Sequence, residues 1–150
     1  MSYVIKETCI SAVINVIFTV VFFFALFHDQ PQLILGGSSK LTLDFLPQAF
    51  FIGFFSALPP SLITLRRMKK GVLALRAARV LPLPASLPIR IVLFALASLL
   101  IFGGGAVLLV FQIDAMSISF STALLLKAVY AIFITAVITP LAVNAVLANT

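Results

Sequence analysis

Four polar residues stand next to or inside long apolar runs, where their side chains could bind a proton, an ion or a solute: Asp44, Gln48, Asp114 and Lys127. A polar group surrounded by lipid is costly and needs a partner, so each of them is a candidate for function. We expect the four to lie in the outer half of a membrane. Lys127 falls inside the last apolar run, where it either anchors the helix at the interface together with Tyr130 or pairs with Asp44 or Asp114.

Asp44 also has an interpretation that involves no binding chemistry. It directly precedes the apolar run 45–65, and an aspartate in that position commonly caps the first turn of a helix. Pro47 would then lie in the first turn, where a proline is tolerated. The sequence therefore leaves two alternatives for Asp44, a helix cap and an ion or proton site.

A second polar group is expected near the inner ends of the apolar runs and consists of Asn15, Ser61 and Asn144, with Thr64 at a similar height. Residue counting along each run places their side chains at comparable depth in the inner leaflet. Hydrogen bonds between helices would hold these helices together at about 0.6 kcal/mol each. A polar substrate site is the alternative interpretation.

Three consecutive glycines, Gly103, Gly104 and Gly105, lie in the middle of the third apolar run. Glycine lets two helix backbones approach closely, or it permits a kink. We interpret these residues as a helix-packing surface. The contact could lie within one chain or between two copies of it.

The residue types needed for catalysis or metal binding are scarce in this chain. Cys9 is the only cysteine, so neither an intrachain disulfide nor a CxxC site is possible, and His28 is the only histidine. We find no paired acid and base, no activated nucleophile and no set of metal ligands. The expectation is a protein that is not an enzyme and holds no cofactor or metal.

The elements that position these residues follow from the composition. Hydrophobic residues make up 63% of the 150 residues and charged residues 9%, whereas soluble domains have about 45–50% and about 25%. Apolar runs long enough to cross a bilayer cover about 10–27, 45–65, 89–111 and 122–148. The sequence predicts one all-α integral membrane domain, a four-transmembrane-helix bundle. We expect the first run to be retained and not cleaved as a signal peptide.

A basic connection, 66–90, separates the two halves and predicts how the chain is oriented. Lys- and Arg-rich short loops stay in the cytoplasm, so two helical hairpins would be joined there, with both termini on the same side. We expect anionic lipid headgroups, not nucleic acid, to be the partner of these cations. The segment 72–81 is either a short helix at the membrane surface or an irregular loop. The basic residues expected to contact lipid are Arg66, Arg67, Lys69, Lys70, Arg76 and Arg79.

Several short motifs resemble those of small four-span bacterial inner-membrane proteins of no assigned function. The motifs are the run Ile5-Lys6-Glu7-Thr8 leading into Asn15, the run Asp44-Phe45-Leu46-Pro47-Gln48, and the pair Arg66-Arg67. The resemblance covers mainly the first half of the chain. It implies a bacterial inner (plasma) membrane and nothing about activity.

Two functions from different classes follow from these features as expectations. The first is a non-enzymatic accessory or scaffold protein that packs against another membrane protein or against a second copy of itself. The second is a small oligomeric transporter or channel. In the second case the outer group of polar residues would line one end of a pathway, and the inner group would line the other end.

Overall fold

A computed structural model describes residues 2–75 and 82–148 of the chain. Most of these residues are helical, and the four longest helical segments are joined by short connections. The elements in chain order are α1 (Tyr3–Phe27), β1 (Gln32–Leu35), α2 (Lys40–Leu43), α3 (Phe45–Lys69), α4 (Leu87–Ser98), a π-helical turn (Leu99–Gly103), α5 (Gly104–Phe111), β2 (Met116–Ser119) and α6 (Phe120–Ala148).

The prediction of four helices capable of spanning a membrane is confirmed. Four segments contain 25 to 30 residues each and are strongly apolar: Tyr3–Phe27, Lys40–Lys69, Leu87–Phe111 and Phe120–Ala148. At about 1.5 Å per residue they are longer than the hydrocarbon core, which is about 30 Å thick. Within a bilayer these helices satisfy their own backbone hydrogen-bonding groups, which lipid cannot do.

The first two long helices extend beyond the apolar runs that predict them. α1 begins at Tyr3, well before residue 10, and Ser2 caps its first turn by accepting a hydrogen bond from the Ile5 backbone N–H. α3 continues to Lys69 and so includes the beginning of the expected basic connection. Cations in the last turn of a helix interact favourably with its dipole, which accounts for the extension of α3.

Helix α6 occupies the centre of the packing arrangement. It packs along both α1 and α3, and each of those contacts is more extensive than the contact of α1 with α3. Helix α4 and the π-helical turn pack on the other side of α3. Small buried residues such as Ala49, Ala131 and Ala142 line these contacts and let the helices approach closely.

A two-stranded antiparallel sheet joins the two connections at the end of the molecule remote from residues 66–75. β1 pairs with β2 in a register that places Gln32 opposite Ser119 and Leu35 opposite Met116. Leu33 is buried beneath the sheet against Phe27. The all-α expectation did not include this sheet, because the polar composition of the two connections shows only that they leave the helices. The strands pair because backbone groups outside the helices need partners.

The basic connection was expected to extend to residue 90, but the structure places Arg90 inside a helix. It lies inside α4 and is only 3% exposed, so it is not a loop residue at the membrane surface. Its guanidinium donates hydrogen bonds to the carbonyl oxygens of Pro84, Ala85 and Ala145, at 3.2, 3.1 and 2.8 Å. A planar group with five donors is suited to such convergent carbonyls. Arg90 thereby joins the start of α4 to the last turns of α6.

Candidate functional site

An ion pair lies between the start of α3 and the first half of α6. The Lys127 Nζ atom is 3.0 Å from Asp44 Oδ2, and the two side chains are 1% and 18% exposed. Nζ also lies 3.6 Å from the centre of the Phe45 ring, where a cation is attracted to the π-electron face. Of the alternatives open for Lys127, the pair with Asp44 is the arrangement that the structure contains.

Asp44 occupies the N-cap position of α3, as the helix-cap interpretation predicts, but its side chain does not act as the cap. Asp44 stands between α2 and α3 with right-handed helical angles, φ −66° and ψ −15°, and its side chain caps no backbone N–H. Its own N–H donates to the Lys40 carbonyl, so the turn continues from α2 into α3. The carboxylate is thereby free to turn toward α6.

Gln48 lies one turn beyond Asp44 on α3 and connects three helices. Its Nε2 atom donates to Thr19 Oγ1 on α1 at 3.4 Å and to the Lys127 carbonyl oxygen on α6 at 3.2 Å. Its Oε1 atom is buried and has no hydrogen-bond partner in the described part of the chain. Both N–H donors of the Gln48 amide are therefore bonded to neighbouring helices, and its Oε1 acceptor is unused.

Asn15 on α1 forms the next polar contact with α3 and α6. Its Nδ2 atom donates to Ser56 Oγ at 2.8 Å and to Thr135 Oγ1 at 2.9 Å. Ser56 donates in turn to Thr135, and Thr135 donates to the Ala131 carbonyl oxygen. Asn15 is only 1% exposed, and its Oδ1 atom has no partner among residues 2–75 and 82–148.

The expected inner-leaflet group does not form around Asn15. Ser61 is buried on α3 and Asn144 is half-buried on α6, and neither forms a hydrogen bond with Asn15. The reason is that α1 starts at Tyr3, so Asn15 lies deeper than counting from residue 10 suggested. At this end of the helices Tyr3 makes a polar contact instead, and its hydroxyl lies 2.9 Å from Thr64 Oγ1.

A cleft of about 140 Å³ lies between α1 and α3, and part of its lining comes from α6. Its polar atoms come from Asn15, Thr19, Gln48 and the Lys127–Asp44 pair. Aromatic and aliphatic side chains make up the rest of its walls. The lining residues are Asn15, Phe18, Thr19, Phe22, Phe23, Leu26, Asp44, Pro47, Gln48, Phe51, Ile52, Phe55 and Lys127.

Two pairs of stacked phenylalanine rings connect α1 with α3 along the cleft. Phe18 stacks on Phe55 with ring centres 4.8 Å apart, and Phe22 stacks on Phe51 at 6.3 Å. Phe18, Phe22 and Phe51 are between 39% and 52% exposed, and their outer faces point away from the protein. These rings separate the polar wall of the cleft from the surroundings of the helices.

The other sequence-predicted residues lie outside the cleft. Asp114 is exposed in the connection before β2 and takes no part in the ion pair. Gly103 contacts α3, because a Cβ atom added to it would meet the Ala49 Cβ atom at 3.1 Å. Gly104 and Gly105 are open: among the described residues, an added Cβ would have no neighbour closer than 3.9 Å at Gly104 and none within 4 Å at Gly105.

The basic residues gather where α3 ends. Arg66, Lys69 and Lys70 are exposed, and the Arg67 guanidinium lies 5.1 Å from the centre of the Tyr3 ring. Residues 72–75 are not helical. Arg76 and Arg79, together with most of the expected surface helix 72–81, lie outside the described residues.

The cleft contains groups that could bind a polar ligand. Within residues 2–75 and 82–148, no group of three or more His, Cys, Asp or Glu side chains could hold a metal ion. The cleft offers two amide oxygens, a hydroxyl and a neutralised pair of charges. No family model matches this chain, and comparison with curated proteins and with solved structures finds no match.

Proposed function

We propose that this chain is a non-enzymatic accessory or scaffold protein of the inner (plasma) membrane that packs against another membrane protein or a second copy of itself. One observation carries the proposal. Helix α5 buries none of its own residues, although it begins with Gly104, Gly105 and Ala106. Small residues on an outward-facing membrane helix permit a second helix to approach closely. Leu108, one turn beyond Gly104, is 68% exposed and extends the same face.

The way the spans are held together supports a structural role. Polar side chains inside the helices are bonded mainly to other helices, which makes the body a firm support. Ser98 Oγ donates to the Ala49 carbonyl oxygen at 2.7 Å, and Thr139 Oγ1 donates to the Ser56 carbonyl oxygen at 3.0 Å. Such bonds add to the packing of the helices in lipid.

The proposed orientation places both termini and the basic segment in the cytoplasm and the sheet outside. The start of α1 lies beside the end of α3 through Tyr3 and Thr64, and the end of α6 lies beside α4 through Arg90. All of these ends therefore share one side with the exposed cations that follow Leu65. Lys and Arg near helix ends favour the cytoplasmic side and attract anionic headgroups.

Photocrosslinking in native membranes tests the scaffold proposal. A photoreactive amino acid in place of Leu108 samples the open face of α5, and the same amino acid in place of Val21, 58% exposed on α1, is the matched control. We expect a discrete protein adduct from position 108 and none from position 21. The mass of the adduct distinguishes a second copy from another protein. Adducts with lipid alone at position 108 would refute the proposal.

A small oligomeric transporter or channel is the second candidate, and one observation favours it. Asp44, Gln48 and Lys127 line the same cleft as Asn15, so polar groups from three helices meet at one place. In this case the ion pair would open to admit a solute. Flux through proteoliposomes that disappears in both Asp44→Asn and Lys127→Met would support this function. Flux that survives both substitutions would remove the pair from the mechanism.

A further inference from the structure

We propose that the cleft between α1 and α3 binds a neutral amphiphile from the bilayer whose head carries hydroxyl groups, such as a monoacylglycerol. The head would lie against Asn15 and Gln48, and the chain would pass beside the phenylalanine pairs into the lipid. This inference concerns a different surface from α5, so it can fail or hold independently of the scaffold role.

Two unused acceptors define the chemistry of the head. Asn15 Oδ1 and Gln48 Oε1 are buried, lack partners in the described residues, and belong to side chains that line the same cleft. The donors of both amides are already engaged with neighbouring helices. A buried acceptor without a partner is costly, so a ligand whose O–H donors reach these atoms, once the side chains that cover them shift, gains that energy. The cleft therefore selects for hydrogen-bond donors.

The electrostatics of the cleft favour a head without net charge. Lys127 and Asp44 neutralise each other at 3.0 Å, and no other charged side chain among residues 2–75 and 82–148 lines the cleft. A cationic or anionic head would have to be desolvated without a free counterion, which is costly in a low-dielectric site. Neutral hydroxyl groups avoid that cost and match the amide oxygens.

The size and walls of the cleft indicate what is attached to the head. A volume of about 140 Å³ is close to that of an engineered cavity that holds benzene, so a head of about six heavy atoms fits. Aromatic rings form much of the wall, which suits an apolar chain better than a cluster of waters. A glyceryl head with one acyl chain has these properties.

The position of the phenylalanine rings provides a route from the lipid. Phe22 and Phe51 are the more widely separated pair, with centres 6.3 Å apart, and both are about half exposed. Rotation of either ring would open the cleft sideways, between helices that contact each other less than each contacts α6. The ligand would thus enter from the bilayer and not from water.

A photoaffinity experiment tests the proposal with the whole chain in phosphatidylcholine nanodiscs. The probe is a monoacylglycerol with a diazirine in its acyl chain, and labelled peptides are identified by mass spectrometry. We expect saturable labelling of α1 and α3 near Phe22 and Phe51. Unlabelled monoolein should compete, and methyl oleate, which has the same chain and no O–H donor, should compete at least about tenfold more weakly, since two hydrogen bonds are missing.

Substitution of an acceptor supplies the second arm. Gln48→Leu removes Oε1 and should weaken binding of the probe about fivefold, as expected for one hydrogen bond. The matched control is Gln112→Leu, at an exposed glutamine outside the cleft, which should leave binding unchanged. Gln48→Met serves the same purpose if Gln48→Leu does not fold. Non-saturable labelling, labelling elsewhere, or equal competition by methyl oleate would overturn the proposal, the last by showing a merely apolar cleft.

Discussion

Lys127 is more deeply buried than Asp44, and this difference predicts how the ion pair responds to mutation. Lys127 is 1% exposed and Asp44 is 18% exposed. Asp44→Asn would leave a buried ammonium group without its counterion, which costs about 3–5 kcal/mol. Lys127→Met removes the fully buried charge itself and leaves a carboxylate that is only partly buried. We expect Asp44→Asn to lower the free energy of unfolding at least twice as much as Lys127→Met.

Unfolding of both variants by a denaturing detergent in the same bicelles measures this difference. The double variant Asp44→Asn with Lys127→Met completes the cycle and should be more stable than Asp44→Asn alone. An equal loss in the two single variants would show that the pair is not buried as the structure has it.

Arg90 provides a second prediction for a single residue. Arg90→Ala would leave the carbonyl oxygens of Pro84, Ala85 and Ala145 without this donor, and we expect a loss of about 2–3 kcal/mol in stability. Arg66→Ala, at an exposed arginine at the end of α3, should change stability by less than about 0.5 kcal/mol. Melting temperatures in one detergent compare the two variants. Similar effects of both would contradict the buried position of Arg90.

At this scale the sequence indicates which residues are polar in lipid but not which of them meet. For Lys127 the sequence leaves three alternatives: an ion pair with Asp44, an ion pair with Asp114, or a role as an interface anchor. They stay open because depth along a helix says nothing about the direction in which a side chain points. Asn15 was assigned the wrong partners for a related reason. Apolar character begins near residue 10, whereas the helix begins at Tyr3, and the resulting error in depth is about 10 Å.

Glycines in the long helices differ in what surrounds them, and this predicts opposite outcomes for one substitution. A Cβ atom at Gly53 would overlap the Ser98 Cβ atom, so α3 and α4 can approach this closely only with glycine at that point. We expect Gly53→Ala to destabilise the fold by about 1–3 kcal/mol. Gly105→Ala meets nothing within 4 Å in the part of the chain that the structure describes and should be neutral or stabilising by up to about 1 kcal/mol.

Thermal unfolding of the two variants in one detergent tests this contrast. Gly105→Ala has a second use, because it places a methyl group on the open face of α5. If that face packs on a partner, the variant should keep its stability and lose the crosslink from position 108. A stability loss in Gly105→Ala as large as that in Gly53→Ala would contradict the open surroundings of Gly105.

The existence of the four long helices could be predicted, because long apolar runs have few alternatives in lipid. The ends of these helices could not be predicted. Arg66 and Lys69 have the charge typical of a loop, although the backbone there remains helical. The sheet was also missed. Gln32–Leu35 and Met116–Ser119 are each only four residues long, and their pairing partners lie far apart in the sequence. The tight contact at Gly53 could not be predicted from the sequence, because a single glycine in an apolar run is compatible with close packing, with a kink or with no special role.

For the whole molecule, the shared position of the termini and the basic residues predicts the labelling of cysteines from outside the cell. In a Cys9→Ser background, Ser38→Cys lies in the exposed connection near β1, and Lys70→Cys lies at the opposite end of the molecule. A membrane-impermeant maleimide added to intact cells should label Ser38→Cys and not Lys70→Cys. After the cells are opened it should label both.

Lys70→Cys serves as the internal control in this experiment, since its labelling in opened cells shows that the thiol is reactive. Labelling of Lys70→Cys in intact cells would reverse the proposed orientation. Failure of both positions in opened cells would argue against their exposure, and so against the fold at these two ends.

The sheet links segments that are synthesised at very different times. Gln32–Leu35 leaves the ribosome early, but its partner Met116–Ser119 comes only after α3, α4 and α5 have been made. Until then the first strand has an unsatisfied edge, which is a template for wrong pairing. The pairing of β1 with β2 would therefore be a late step in folding, after which the first and second halves of the chain can no longer move independently. A nascent chain stalled before residue 116 should therefore remain open to proteases in the connection between α1 and α3.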